Sequence, residues 1–355
     1  GWIRGFRFYE AGSIYRPNRE KDVERLKELA RSMIAATGHE EISLSSLSSS
    51  DYSQLEELIT FLIDECGKKK INISLPSLRI DAFSLDIMQK VQDIKKSSLT
   101  FAPEAGSQRL RNVINKGLTI DNILDGSKQA FEGGWNKVKL YFMLGLPTET
   151  EEDMRAIPEL ANEIAALYYD TVPKEKRNGK CQITISTSFF VPKPFTPFQW
   201  ATMLDPGDYL GRAKIVNDHV KEQLNHKSIR YNWHEADVTV LEGVLARGDR
   251  KLSDAIEYVY THGGLFDAWS DFFNYDLWLE AFAACDIDID FYTKRVRSDD
   301  EIFPWDFIDV GVTREFLLRE WKTALTETVT PNCRMRCSGC GARQYGGGVC
   351  FEDKN

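Results

Sequence analysis

The chain has 355 residues, 42% hydrophobic and 28% charged, which is enough apolar material for two domains or for one barrel with additions. Its formal net charge of −9 argues against a general binder of nucleic-acid backbones. No apolar run approaches the ~20 residues of a membrane span, and the opening Gly-Trp-Ile-Arg is no secretory signal.

The first residue is Gly1, not Met, so a longer parent chain is expected. Cys66, Cys181 and Cys285 are scattered and read as buried thiols. Cys333, Cys337, Cys340 and Cys350 crowd the C-terminus, which fits a metal site in a reducing, cytoplasmic compartment better than a disulfide framework.

In chain order, residues 18–37 read as a helix, with Val23, Leu26, Leu29, Ala30, Met33 and Ile34 at helical spacing and Gly38 closing it. Residues 41–48 read as a strand ending in hydroxyls. Asp51 or Ser53 can cap a helix over 54–68. A strand over 70–78, a short helix over 83–94 and a strand over 99–103 follow. Next come a helix over 119–132, a strand over 137–146 and an acidic helix from Pro147 to about 169. The apolar end of 137–146 suggests a strand covered on both faces. Residues 182–191 form the last strand of this series.

Such alternation calls for an α/β fold with a parallel sheet and outer helices, most simply a partial barrel. A barrel would place its first strand before residue 1, so that strand is expected to be missing. Beyond a Pro-rich boundary at 193–205 the pattern turns helical, over 208–225, 236–262, 276–285 and 313–328, with a short strand over 228–233. The expected division is a partial barrel over 1–200, a helical domain over 201–330 and a Cys-rich tail over 331–355.

Three stretches suggest a site. Residues 1–19 read GWIRGFRFYEAGSIYRPNR, with Trp2, Phe6 and Tyr9 spaced W-x3-F-x2-Y. By periodicity alone these are one apolar helical face. Residues 101–119 read FAPEAGSQRLRNVINKGLT. There Glu104 can accept hydrogen bonds from hydroxyls and Arg109 can pair with a carboxylate, or the two can serve a capped helix. Residues 144–153 read LGLPTETEED. Pro147 suits a helix start, and Glu149, Glu151 and Glu152 suit its dipole. The Ser-rich turn from Ser45 to Ser50 stands at a strand end, where βα barrels bind ligands, or it caps a helix.

Together these stretches resemble the radical S-adenosylmethionine (SAM) enzymes, near the branch of the methylthiotransferases and anaerobic coproporphyrinogen oxidase. With SLPSLRIDAFS, FVPKPFTPFQW and PWDFIDVGV, the chain is similar to the large cobalamin-binding radical SAM proteins that end in a Cys-rich tail. The resemblance implies SAM and a [4Fe-4S] cluster as cofactors, and an upstream cobalamin domain in the parent chain. It implies that Ser45, Ser48, Glu104, Ser107, Arg109, Gly145 and Pro147 lie around SAM. It also implies that Trp2, Phe6 and Tyr9 stand where three cluster cysteines belong.

Rings supply no thiolate, so the chain is expected to be inactive as written, with these rings packing at the barrel mouth and coordinating nothing. The alternatives are a non-catalytic scaffold that binds a nucleoside, RNA or protein partner, and a metal-independent SAM-binding enzyme. For the tail, C-x3-C-x2-C-x9-C suits zinc or a fully ligated auxiliary iron–sulfur cluster.

Overall fold

The computed structural model describes residues 3–44, 46, 48–74 and 99–350. Two parallel sheets carry the fold. The strands β1 (Glu41–Ser43) and β2 (Asn72–Ser74) pair with each other. The larger sheet runs in order through β3 (Leu99–Glu104), β4 (Lys137–Leu144), β5 (Gln182–Phe189) and β6 (Ile229–Trp233). Each neighbouring pair is parallel. The architecture is the expected α/β one, a partial parallel barrel followed by a helical region.

Parallel neighbours need crossovers, and helices supply them. After α1 (Ala11–Ile14), α2 (Val23–Thr37) leads into β1. It is capped by Asp22, whose side chain accepts from the Arg25 N–H, and it stops at Gly38 in the left-handed conformation. Then α3 (Leu55–Gly67) links β1 to β2. Two helices, α4 (Gln108–Val113) and α5 (Ile120–Glu132), link β3 to β4. The long α6 (Glu151–Thr171) links β4 to β5, and α7 (Pro206–Glu222) links β5 to β6.

The main core lies between this sheet and α5, α6 and α7. In β4, Val138, Leu140, Phe142 and Leu144 are buried there, while Lys137 and Tyr141 are exposed and Lys139 and Met143 half-buried. Alternation sends those four to the opposite face. On that second face the amino end of the strand is open, while at its apolar end Met143 packs on a cluster that includes Ala105, Leu146 and Phe190, so the double cover expected is found only there.

A second apolar cluster joins α8 (Ala236–Arg247), α9 (Leu252–Thr261), α10 (Tyr275–Ala284) and α11 (Ile289–Thr293). A third packs α12 (Arg314–Leu325) with Trp200, Phe303, Trp305 and Cys340.

Several expectations shift. The helix expected over 236–262 is two helices, because the chain turns at Gly248, where an added Cβ would meet Leu252 Cδ1 at 1.9 Å. Gln54, not Asp51 or Ser53, precedes α3, because Glu20 takes the Ser53 N–H. The acidic helix opens at Glu151 behind Thr150, leaving Pro147 in the preceding turn. The sheet continues past residue 200, since β6 pairs with β5. The helix expected over 83–94 and residues 75–78 of the strand expected over 70–78 lie outside the described residues. Among the described residues no helix is long and apolar enough to cross a membrane.

Candidate functional site at the strand ends

The carboxyl ends of β3, β4 and β5 lead into turns with left-handed backbone. Glu104 has φ +67, Gly145 φ +83, Thr148 φ +65 and Phe195 φ +58. For residues other than glycine this costs about 1–3 kcal/mol each, and such positions gather at functional sites. Glu104 accepts from Lys116 Nζ at 3.2 Å through Oε1, and that ammonium lies 4.4 Å from the centre of the Phe6 ring. Burial, then Glu10 and Glu104, raises the Tyr9 phenol above its usual range. The structure thus brings residues 6, 9, 104 and 116 to one place.

The loop carrying Phe6 and Tyr9 is fixed by backbone and buried polar contacts. Arg7 N–H donates to Ile114 O at 3.2 Å, and Phe198 N–H donates to Arg7 O at 3.2 Å. Phe6 is buried and stacks on Phe8, with ring centroids 5.6 Å apart. Two rings and a phenol stand there, and none is a soft ligand for iron, so residues 6 and 9 do not fit an iron–sulfur cluster. Trp2 lies outside the described residues.

Ser107 and Arg109 meet, but on a protein group. Both donate to the Asp153 carboxylate at the start of α6. Arg109 also reaches Thr148 O at 2.8 Å and Glu327 at 3.0 Å. Burial raises the Asp153 carboxyl, but Arg109, Ser107 and the Thr150 N–H outweigh it and leave it lowered. These side chains tie the β3 turn to the β4 turn.

Gly145 serves packing as well. An added Cβ would meet the Tyr209 ring at 2.6 Å. Its N–H donates to Glu149 at 2.8 Å, and Arg212 reaches the same oxygen at 2.6 Å. Burial pushes the Glu149 carboxyl up to about 7 against those two contacts.

Beyond β1 lies a cavity of about 520 Å³, with apolar walls from α2 and α3 and a polar rim that includes Asn18, Ser48 and Asp51. Asn18 Oδ1, Ser48 Oγ and Asp51 Oδ2 are buried there with no hydrogen-bond partner among the described residues. Buried polar atoms are almost always satisfied. Three orphans on one cavity suit a ligand rich in donors, such as the ammonium and ribose hydroxyls of SAM. Ser45 lies outside the described residues.

Pattern reading missed Arg111. Fully buried, it donates to Leu118 O at 3.1 Å, Ala105 O at 3.0 Å and Gly106 O at 2.8 Å, and so shapes the turn that presents Glu104. Burial lowers it to about 10. Nothing in the sequence separates it from Arg109, two positions away.

Cys340 is buried in the α12 cluster, Cys337 is exposed, and Cys333 and Cys350 are intermediate. Among the described residues no three His, Cys, Asp or Glu side chains are grouped to hold a metal ion.

Residues 6–161 match the model of the radical SAM superfamily. The uncharacterised protein MJ0966 of Methanocaldococcus jannaschii is 34% identical over 258 residues, which cover 73% of this chain and 52% of that protein. MJ0865 of the same organism, provisionally named a methylthiotransferase, is 28% identical over 143 residues, 38% of this chain and 31% of that protein. The chain therefore spans about half the length of the first relative and a third of the second. HydG, a maturase of the [FeFe]-hydrogenase, aligns over 93% of this chain and 80% of its own at 13% identity, with a TM-score of 0.37, too low to build on. Across residues 6–161, then, this chain is similar to the domain of the radical SAM superfamily.

Proposed function

We propose that the chain is the core of a radical SAM enzyme that binds SAM at the strand ends but does not cleave it reductively. The observation that carries the reading is the cavity beside β1, where Asn18 Oδ1, Ser48 Oγ and Asp51 Oδ2 have no hydrogen-bond partner among the described residues. The SAM ammonium and ribose hydroxyls would satisfy them. Glu104 has a second carboxylate oxygen beyond the one held by Lys116, which suits a further hydroxyl. A [4Fe-4S] cluster, where one is held, supplies the electron that opens SAM. Phe6 and Tyr9 offer it no thiolate, so no such step belongs to this chain as written.

Calorimetric titration with SAM tests binding, and Ser48→Val combined with Asn18→Leu should abolish it. Anaerobic reconstitution with iron and sulfide, read by EPR, tests the cluster. The unmodified chain should give no cluster signal and release no 5′-deoxyadenosine. Cysteines placed together at positions 2, 6 and 9 should restore the signal. Failure to bind SAM, or reductive cleavage by the unmodified chain, would overturn the proposal.

A further inference from the structure

Between Lys251 and Lys294 the chain has nine Asp and Glu residues and no Lys or Arg. That stretch alone accounts for the net charge of −9, because elsewhere carboxylates and basic side chains are equal in number. Eight of the nine are exposed, and among the described residues only Asp290 forms an ion pair, with Lys294.

The same stretch exposes large rings. In the loop between α9 and α10, Phe266, Trp269 and Phe272 are 62%, 60% and 59% exposed. Phe266 meets both of the others edge-on, with centroids 5.9 and 6.0 Å apart, so the three form one patch. Phe266 has φ +63, a backbone conformation that is strained for a bulky residue. The loop and α8 also wall an open groove of about 460 Å³. From α8 come Val238, Leu241 and Leu245, one stripe at helical spacing, and Val238 and Leu245 are left exposed. From the loop come Asp267 and Phe273, the chain neighbours of Phe266 and Phe272, so groove and patch adjoin. Glu242, also in the groove, is held by Lys193. A contiguous apolar patch with a polar rim marks an interaction surface.

We propose that this groove and patch dock a basic amphipathic helix of a partner protein. A helix carries apolar residues at the spacing of the α8 stripe and packs its ridge along it. Trp269 and its neighbouring rings supply the anchoring contact area. Asp271, between Trp269 and Phe272 in the chain, and Asp276 at the start of α10 face Lys and Arg of the partner. Charge selects against other occupants. A second copy brings the same negative stretch, and nucleic acids and anionic membranes are repelled as well.

Titration of the full chain with three synthetic helical peptides tests this. One has a Leu face and a Lys face, the second has Glu in place of Lys, and the third has Ala in place of Leu. The Leu/Lys peptide should bind and shift tryptophan emission to the blue, a shift that disappears in Trp269→Phe while binding persists. The Leu/Glu peptide should not bind, and the Ala/Lys peptide should bind about tenfold more weakly or worse. Trp269→Ala with Phe272→Ala keeps every charge and should weaken Leu/Lys binding about tenfold or more. Asp271→Lys should weaken it several-fold and reduce its salt dependence. Melting temperatures should stay at the parent value, because these side chains are exposed. Equal binding of the Leu/Glu peptide, or unchanged binding in the double ring variant, would overturn the proposal. So would a Trp269-dependent blue shift on phosphatidylcholine or phosphatidylserine vesicles, which makes the surface a membrane contact, or on raising the protein concentration alone, which makes it a self-association face.

Discussion

Arg7 donates through both Nε and Nη2 to one carboxylate oxygen of Glu320, each at 3.2 Å, across 313 residues of chain. Arg7 is fully buried and Glu320 nearly so. The remaining Arg7 donors reach Asn112 O, Val113 O and Thr328 O, and Thr330 Oγ1 closes back onto Glu320. Burial lowers the Arg7 guanidinium below its usual range, and Glu320 partly restores it. The pair therefore fastens the N-terminal loop to α12 and the start of the tail.

A buried pair of this kind is costly to break from one side, because the survivor stays charged without a counter-ion. Glu320→Ala should lower the free energy of unfolding by about 3–5 kcal/mol. Glu320→Gln keeps an acceptor and should cost less. Urea unfolding gives both values. A Glu320→Ala chain as stable as the parent would mean that the pair is open in solution.

Asn115 holds the same loop from the other side. It donates to Gly5 O at 2.9 Å and Thr330 O at 3.1 Å, and accepts from the Thr330 N–H at 2.9 Å. Its φ of +54 is tolerated by asparagine better than by most residues. Asn115→Ala should cost about 1–3 kcal/mol through the stranded groups alone. It should also speed hydrogen exchange at the Arg7 amide while leaving β4 amides unchanged. Equal acceleration at both places would point to global destabilisation rather than to a loop clamp.

Glycines at two positions should answer oppositely to alanine. An added Cβ at Gly106 would lie 2.5 Å from Ile157 N, 2.8 Å from Ala156 C and 2.8 Å from Asp153 O. These are backbone atoms of α6 and cannot rotate away. Gly106→Ala should cost about 1–3 kcal/mol or more as the turn is forced off the helix. At Gly211, inside α7, nothing lies within 4 Å of the added carbon, so Gly211→Ala should stabilise by up to about 1 kcal/mol. Thermal denaturation of the two variants would reject this account if their shifts had the same sign.

Much of the fold was legible because local signals and burial agree. Gly38 ends α2 as its position suggests, and Thr119 caps α5 in a capping box with Asn122. The site was less legible because its residues serve long-range partners that no spacing records. Arg109 has the charge for a ligand carboxylate, but Asp153, 44 residues away, takes it. Gly145 suggests room for a ligand, and Tyr209 fills that room. Asn18 lies in the first candidate stretch and at the start of the expected helix, but its side-chain oxygen, without a partner among the described residues, becomes visible only when Ser48 and Asp51 are brought beside it. In the tail, the Thr313 N–H donates to Cys340 O at 2.9 Å, and Cys340 is buried in the core around α12, a long-range contact that the cysteine spacing does not record.

Glu149 should give the stability a pH dependence of its own. Its carboxyl rises from 4.5 to about 7, chiefly because burial penalises the charged form, against the Gly145 N–H and Arg212. A folded-state value above the unfolded one means that the protonated form favours folding. That contribution is complete below about 4.5 and is lost as the pH rises through about 7. The shift corresponds to about 3 kcal/mol across the window. Asp153 is shifted the other way, below 3.8, so its effect falls at lower pH and leaves the window clear. Glu149→Gln keeps an acceptor for the Gly145 N–H and cannot ionise. Melting curves of the parent should therefore lose stability from pH 5 to 7.5 relative to Glu149→Gln, by roughly that amount. Parallel curves over this range would show that Glu149 has an ordinary carboxyl and that Arg212 compensates its burial in full.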